Sequence, residues 1–267
     1  MDYGLLLICG LTFIIHLIGT LAYSVRIAGT RTRRIALSLS LFNILILVSR
    51  TSNSFQAPLL AKRVEQDIAH GVMSGATSDF RWLLFSASVA TLVGAMLIPT
   101  FQRLFARYVD AFGRYRSLSR IILRLCTASA VVAVRDTLVM PRWNNIAAAR
   151  RGAHIPWSVA LLNTAAMAIW TVGVFAALYA GYLRPELRVT SSQLSAVVNG
   201  VATILMFAFI DPYLSMVTDD VAEGRLSEPY LRRSIVWLTG SRLAGTVLAQ
   251  VLLVPAAFWI VAVAEHL

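Results

Sequence analysis

Apolar residues gather into six runs of about twenty, at 4–23, 35–55, 82–101, 157–182, 194–217 and 243–264. A helix needs about 20 mostly apolar residues to cross the hydrocarbon of a bilayer. The pattern predicts an all-α, polytopic integral membrane protein with about six transmembrane helices. They form one transmembrane domain over residues 1–267.

Polar positions recur inside these runs at helical spacing. Thr12, His16, Thr20 and Tyr23 share one face of the first run. Ser40, Asn43, Arg50 and Ser54, with Asn53 alongside, share one face of the second, and Gln56 closes it. Between the two runs lies a basic hairpin of Arg26, Arg31, Arg33 and Arg34. A charged side chain at the bilayer centre costs roughly 2.5–3.5 kcal/mol on insertion scales, so it usually faces protein or a wet cavity. Helix–helix adhesion is the competing reading for His16 and Asn43. It explains Arg50, which opens a dense polar run, less well. The fifth run holds Asn199 and Asp211, and Pro212 is expected to break its helix there. The fourth carries Gly173, Ala177 and Gly181, a ladder of small residues that admits another helix closely. Packing within the monomer is the favoured use of that ladder, dimerisation the other.

The connecting segments differ in charge. Residues 102–156 form a basic loop in which Arg116, Arg120 and Arg124 recur every four positions, opposite Leu118, Ile121, Ile122 and Leu125. This predicts an amphipathic helix lying in the cytoplasmic interface. The apolar stretch 128–134 is too short to span. Residues 58–81 read as an external loop with one short helix, and His70 within it as a solvated side chain. No internal repeat is evident, so an inverted-repeat transporter is not expected.

Composition sharpens this picture. Of 267 residues, 58% are hydrophobic and 14% charged, whereas a soluble domain carries about 25% charge. The net charge of +11 follows from basic membrane flanks and calls for no nucleic acid. Lys62 is the one lysine, so 23 of the 24 cations are arginine. Arginine suits bidentate phosphate contacts, and a GC-rich genome gives the same bias. Odd-numbered loops hold 18 cations and even-numbered loops six, Arg242 being assigned to the fifth loop. The odd loops are therefore expected to be cytoplasmic and both termini outside. No basic region precedes the first run, which argues against a secretory signal. Cys9 and Cys126 form no disulfide framework or metal pattern.

Several chemistries lack their motifs. There is no GxxxxGK[ST], no HExxH and no GxSxG, and His16, His70, His154 and His266 are scattered. Nucleotide hydrolysis, metal hydrolysis and serine esterase chemistry are not expected; no cofactor or metal is implied. What remains is arginine at both ends of a polar stripe, suited to holding phosphate diester or pyrophosphate through charge-assisted hydrogen bonds. Asp211 fits three roles: pairing an arginine, carrying a proton, or capping the broken helix.

The stretch HLIGTLAYSVRIAGTRTRRIALSLSLFNILILVSRTSNSFQAP, residues 16–58, resembles the signature region of the Amj family, alternate lipid II flippases of bacteria. The likeness is dense over residues 11–61, and Asp211, Pro212, Ser215, Thr218, Asp219 and Asp220 add to it. The resemblance implies a multi-pass protein of the bacterial cytoplasmic membrane in peptidoglycan, and so cell-wall and cell-shape, biogenesis. Its cargo would be lipid II among the membrane lipids, moved from inner to outer leaflet; homo-oligomerisation stays open. Site residues come from the chain itself. Arg26, Arg31, Arg33 and Arg34 are expected to capture pyrophosphate, His16, Tyr23 and Asn43 to line the path, and Arg50, Asn53 and Gln56 to receive the headgroup. His16 and Asp211 are the candidate proton carriers. The rival readings are an intramembrane phosphatase or transferase acting on a polyprenyl-phosphate lipid, and a scaffold whose polar stripes only pack helices.

Overall fold

The computed structural model describes residues 2–71, 76–115, 135, 137–139 and 155–267. Regular secondary structure among the described residues is entirely helical. In chain order it comprises α1 (Tyr3–Thr32), α2 (Ile35–Ala69), α3 (Ala76–Tyr115), α4 (Trp157–Leu183), a 3₁₀ turn (Pro185–Leu187), α5 (Arg188–Leu205), a π-helical turn (Met206–Ile210), α6 (Asp211–Ala222) and α7 (Glu228–Glu265). Six stretches are long and apolar enough to cross a membrane, with Pro185–Ala222 counting as one. Each contains one of the six apolar runs.

The helices outlast their apolar runs, which corrects several loop assignments. Arg26 and Arg31 lie within α1, not in a hairpin. α2 passes through the exposed Pro58 and ends at Ala69, so most of the expected external loop is helix; His70 beyond it is exposed. α3 runs to Tyr115 and absorbs the start of the expected basic loop. Thr137–Val139 return to α3, where the Val139 N–H donates to Thr100 Oγ1 at 3.1 Å. The interfacial helix expected around Arg116, Arg120 and Arg124 lies outside the described residues, as do 128–134, Cys126 and His154. Arg242 is not a loop residue: it lies well inside α7.

Two local devices shape the bundle. Pro212 does not break its helix. The π-helical turn just before Asp211 widens the backbone ladder, which accommodates a proline that has no N–H to give and a ring that crowds the preceding turn. The α1–α2 turn is closed by Arg33 in the left-handed conformation, φ 53°, and the Arg34 N–H donates to the Gly29 carbonyl at 3.0 Å. Ser38 Oγ, one turn into α2, donates to the Val25 carbonyl at 2.9 Å. A left-handed non-glycine residue costs about 1–2 kcal/mol. Arg33→Gly is therefore expected to raise thermal stability by about 1 kcal/mol, read as a higher midpoint in a melting scan of the detergent-purified protein.

α1 packs chiefly on α2 and α3, and α4 chiefly on α5 and α7. Two three-helix units result, joined largely along α3 and α7. The small-residue ladder serves this packing. A Cβ on Gly173 would stand 2.5 Å from Asn199 Oδ1, and one on Gly181 3.2 Å from Arg188 Cβ, so α5 lies directly against α4. α1–α3 and α4–α7 run in the same order with similar lengths, and Pro58 and Pro212 fall at corresponding places in the middle span of each unit. Two apolar clusters stand at opposite ends. One gathers Leu5, Leu60, Phe80, Phe175 and Leu253. The other gathers Tyr23, Ile98, Ile210, Leu214 and Leu238 at the end that carries Arg31, Arg33 and Arg34, called here the basic end.

Candidate functional site

The buried face of α1 supplies the backbone of the site. Thr12, His16, Thr20 and Tyr23 are all buried, as their spacing required. Thr20 turns towards α3, where a Cβ on Gly94 would meet its side chain at 2.8 Å. The other three, with Gly19 and Arg26, form an inward line at steps of three and four that turns towards α4, α6 and α7. From Thr12 to Arg26 that line spans fourteen residues, about 21 Å of helix rise.

At its upper part lies a small, partly enclosed cleft of about 30 Å³ between α2 and α5, floored by α1 and α4. Thr12, His16, Asn53, Gln56, Trp170, Thr171 and Asn199 give it a polar lining. Gln56 Nε2 donates to Thr12 Oγ1. His16 Nδ1 and Asn199 Oδ1 are buried without a partner. Buried polar atoms are nearly always satisfied, so two orphans facing one cleft point to water or a polar ligand. Among the described residues α2 and α5 make no substantial contact with each other beside the cleft.

Below the cleft sits a group that the sequence analysis assigned to a loop. Arg242 is 6% exposed. Its guanidinium lies against Gly19, donates to Met167 Sδ at 3.2 Å and stands within hydrogen-bonding reach of Tyr23. Its Nε has no hydrogen-bond partner among the described residues. No carboxylate among the described residues lies within 4.0 Å of it. Asn163, in reach of Tyr23, donates to the Leu238 carbonyl at 2.9 Å and Ser241 Oγ at 2.7 Å. Gly19 leaves the space that the guanidinium occupies.

Further along, the line becomes ionic. Arg26 stands 3.8 Å from Asp211 and donates to Ser215 Oγ at 3.0 Å, so of the three roles open to Asp211 the geometry displays pairing. Arg31 Nε donates to Glu228 Oε1 at 2.8 Å, which Arg232 also holds at 2.7 Å. Arg33 and Arg34 are exposed at the turn, with no ion pair among the described residues.

The opposite end is tied differently. Arg63 bridges Asp2 and Asp79 at 2.6 Å each, and the Tyr182 hydroxyl donates to Asp67 Oδ2 at 2.6 Å. The Leu5 N–H and then Arg63 hold the Asp2 carboxyl below its ordinary range.

The predicted polar stripe of α2 is not part of the interior. Ser40, Asn43, Arg50 and Ser54 are exposed, while Ser38, Ser52 and Gln56 face inward. Asn53 is exposed and lines the cleft rim. The structure thus brings together His16, Tyr23, Asn53, Gln56, Arg26 and Asp211, and leaves Asn43 and Arg50 on the outer face of α2. Among the described residues no three His, Cys, Asp or Glu side chains gather in a way that could hold a metal.

Two comparisons with known proteins cover most of this chain. A family model described as Amj, alternate to MurJ, matches residues 11–264. The lipid II flippase Amj of Bacillus subtilis (strain 168) is 36% identical over 251 residues, which cover 92% of this chain and 91% of that protein. No solved structure matches.

Proposed function

This chain belongs to the Amj family, and we propose that it is itself a lipid II flippase, carrying an undecaprenyl-pyrophosphate-linked peptidoglycan precursor from the inner to the outer leaflet. The observation that carries this reading is the buried polar line from the basic end to the cleft between α2 and α5. Such a line gives a phosphate and sugar headgroup a route inside protein, while parting of α2 and α5 at the cleft leaves the polyprenyl tail in lipid.

The excess of arginine at the basic end favours its cytoplasmic placement, which puts both termini outside. Arg33 and Arg34 then form the entrance, held without carboxylate partners among the described residues. The left-handed Arg33 supports this, because strained backbone is kept where its residue has a function. Arg26 and Arg31, already paired with Asp211 and Glu228, act as a gate behind the entrance. His16, Tyr23, Asn53 and Gln56 line the route. Asn43 and Arg50, on the outer face of α2, meet the headgroup where α2 and α5 part, and His16 and Asp211 remain the residues for any proton coupling.

The test is complementation in a bacterium depleted of its own lipid II flippases. Growth should return together with lipid II accessible at the outer leaflet. A hydrogen bond to a charged group is worth about 1.5–3 kcal/mol. Arg33→Gln with Arg34→Gln is therefore expected to slow flipping by roughly tenfold or more at unchanged protein level. An unchanged rate removes the proposed entrance. An abundant, correctly inserted wild-type protein that leaves lipid II inside overturns the function.

A further inference from the structure

The two three-helix units are copies of one design in opposite orientation. Gly19 and Gly173, and Ala22 and Ala176, occupy matching places in α1 and α4, 154 residues apart. Phe55, Pro58 and Leu60 in α2 match Phe209, Pro212 and Leu214 at the same interval. In α3, the buried Phe80, Thr91, Ile98 and Phe105 match the buried Ile235, Thr246, Leu253 and Ile260 of α7 at an interval of 155. The correspondence exchanges the two apolar clusters: Leu5, Leu60 and Leu83 at one end become Val159, Leu214 and Leu238 at the other. With three spans per unit, the second unit begins at the opposite end from the first. That is an inverted repeat, a design in which substrate sites lie near the midplane between the copies.

One of the places where the match breaks puts a charge in the core. Arg242 stands where the first unit has Ala87, which is fully buried. It lies beside Gly19, midway along α1, and its Nε is unpartnered among the described residues. A buried guanidinium with no counter-charge is strongly disfavoured unless an anion joins it, and its planar fork suits phosphate. We propose that Arg242 is the midplane phosphate-binding group of an inverted-repeat carrier and is uncovered towards each end in turn as the two units rock. For its natural cargo the proposal rests on the flippase reading.

The repeat also says what the second state looks like. Gln56 lines the cleft, and its counterpart 154 residues on, Ile210, is buried in the basic-end cluster. Rocking exchanges the two: Ile210 comes to line a cleft at the basic end while Gln56 becomes packed.

The site is tested by binding of farnesyl diphosphate, a soluble probe, to the purified full chain. Arg242→Gln is expected to weaken binding roughly tenfold or more, with Arg242→Lys recovering part of it. Gly19→Ala serves as a variant that spares the fold, because its methyl meets only the movable end of the Arg242 side chain. It is expected to weaken binding with little change in melting temperature. Wild-type affinity retained in both Arg242→Gln and Gly19→Ala overturns the site. For the motion, Ile210→Cys in a Cys9→Ser, Cys126→Ser background is expected to react with an impermeant thiol reagent from the basic face during transport. An active carrier whose Ile210→Cys never reacts from that face overturns the alternation. Arg242-dependent diphosphate binding by a wild-type chain that leaves lipid II unmoved would sink the cargo and keep the site. Flipping without any Arg242 dependence would sink the site and keep the cargo.

Discussion

Asp211→Ala is expected to destabilise the protein by about 1–2 kcal/mol and to stop transport. Breaking one side of a buried ion pair costs about 3–5 kcal/mol, and an exposed pair contributes about 0–1 kcal/mol. With Asp211 42% and Arg26 13% exposed, 3.8 Å apart, this pair falls between the two. The Arg26 guanidinium would keep its hydrogen bond to Ser215 but lose its nearest carboxylate, leaving Asp219 as the other acidic group that acts on it. A double change to Arg26→Met and Asp211→Leu removes both charges and is expected to recover most of the lost stability, since apolar replacements of a buried pair are often neutral. Flipping should stay lost. Melting scans beside flipping rates for the two single variants and the double variant test this. A stable double variant that flips at wild-type rate would reduce the pair to a structural bond.

The second large effect falls on packing. A Cβ at Gly245 would stand 2.6 Å from the Thr164 carbonyl oxygen, 2.7 Å from Met167 Cβ and 3.1 Å from the Ala168 nitrogen. Two of these atoms are backbone, so α4 and α7 must separate along one of the broadest helix contacts in the molecule. Overpacking of this kind costs about 1–3 kcal/mol for a methyl and more for a larger group. Gly245→Ala should lower the melting temperature by several degrees, and Gly245→Leu should leave little folded protein. Gly200→Ala is the matched control, because nothing lies within 4 Å of its added carbon. It should gain a few tenths to about 1 kcal/mol from helix propensity. Equal behaviour of the two alanine variants would mean that α4 and α7 are not packed this closely.

Hydropathy picked out all six helical stretches that are long and apolar enough to cross a bilayer, because that property rests on length and apolarity alone. Where each helix ended was less legible. Polar turns of α1, α2 and α3 continue beyond the hydrocarbon, and nothing in their polarity interrupts backbone hydrogen bonding. Arg242 was misread for this reason: a charge at the edge of an apolar window looks like a loop. The stretch IVWLTGSRLAG around it is apolar on both sides and contains no proline, so a continuous helix with an arginine inside it was readable there. Periodicity showed that Ser40, Asn43, Arg50 and Ser54 share a face of α2, but a period carries no information about which face meets the bundle. The ladder of Gly173, Ala177 and Gly181 and the pairing role of Asp211 were legible, since small residues and intramembrane carboxylates have few other uses. The repeat escaped notice because the units keep burial while changing identity, as at Phe80 and Ile235. Inversion also places matching residues at opposite ends of the molecule.

The most direct measurement reconstitutes the purified wild-type chain in liposomes with lipid II and follows how much lipid II an external enzyme can reach over time. The account predicts that a pool protected in protein-free vesicles becomes accessible in proportion to the number of inserted molecules. Lipid II that stays protected in vesicles holding folded, correctly inserted protein would contradict it.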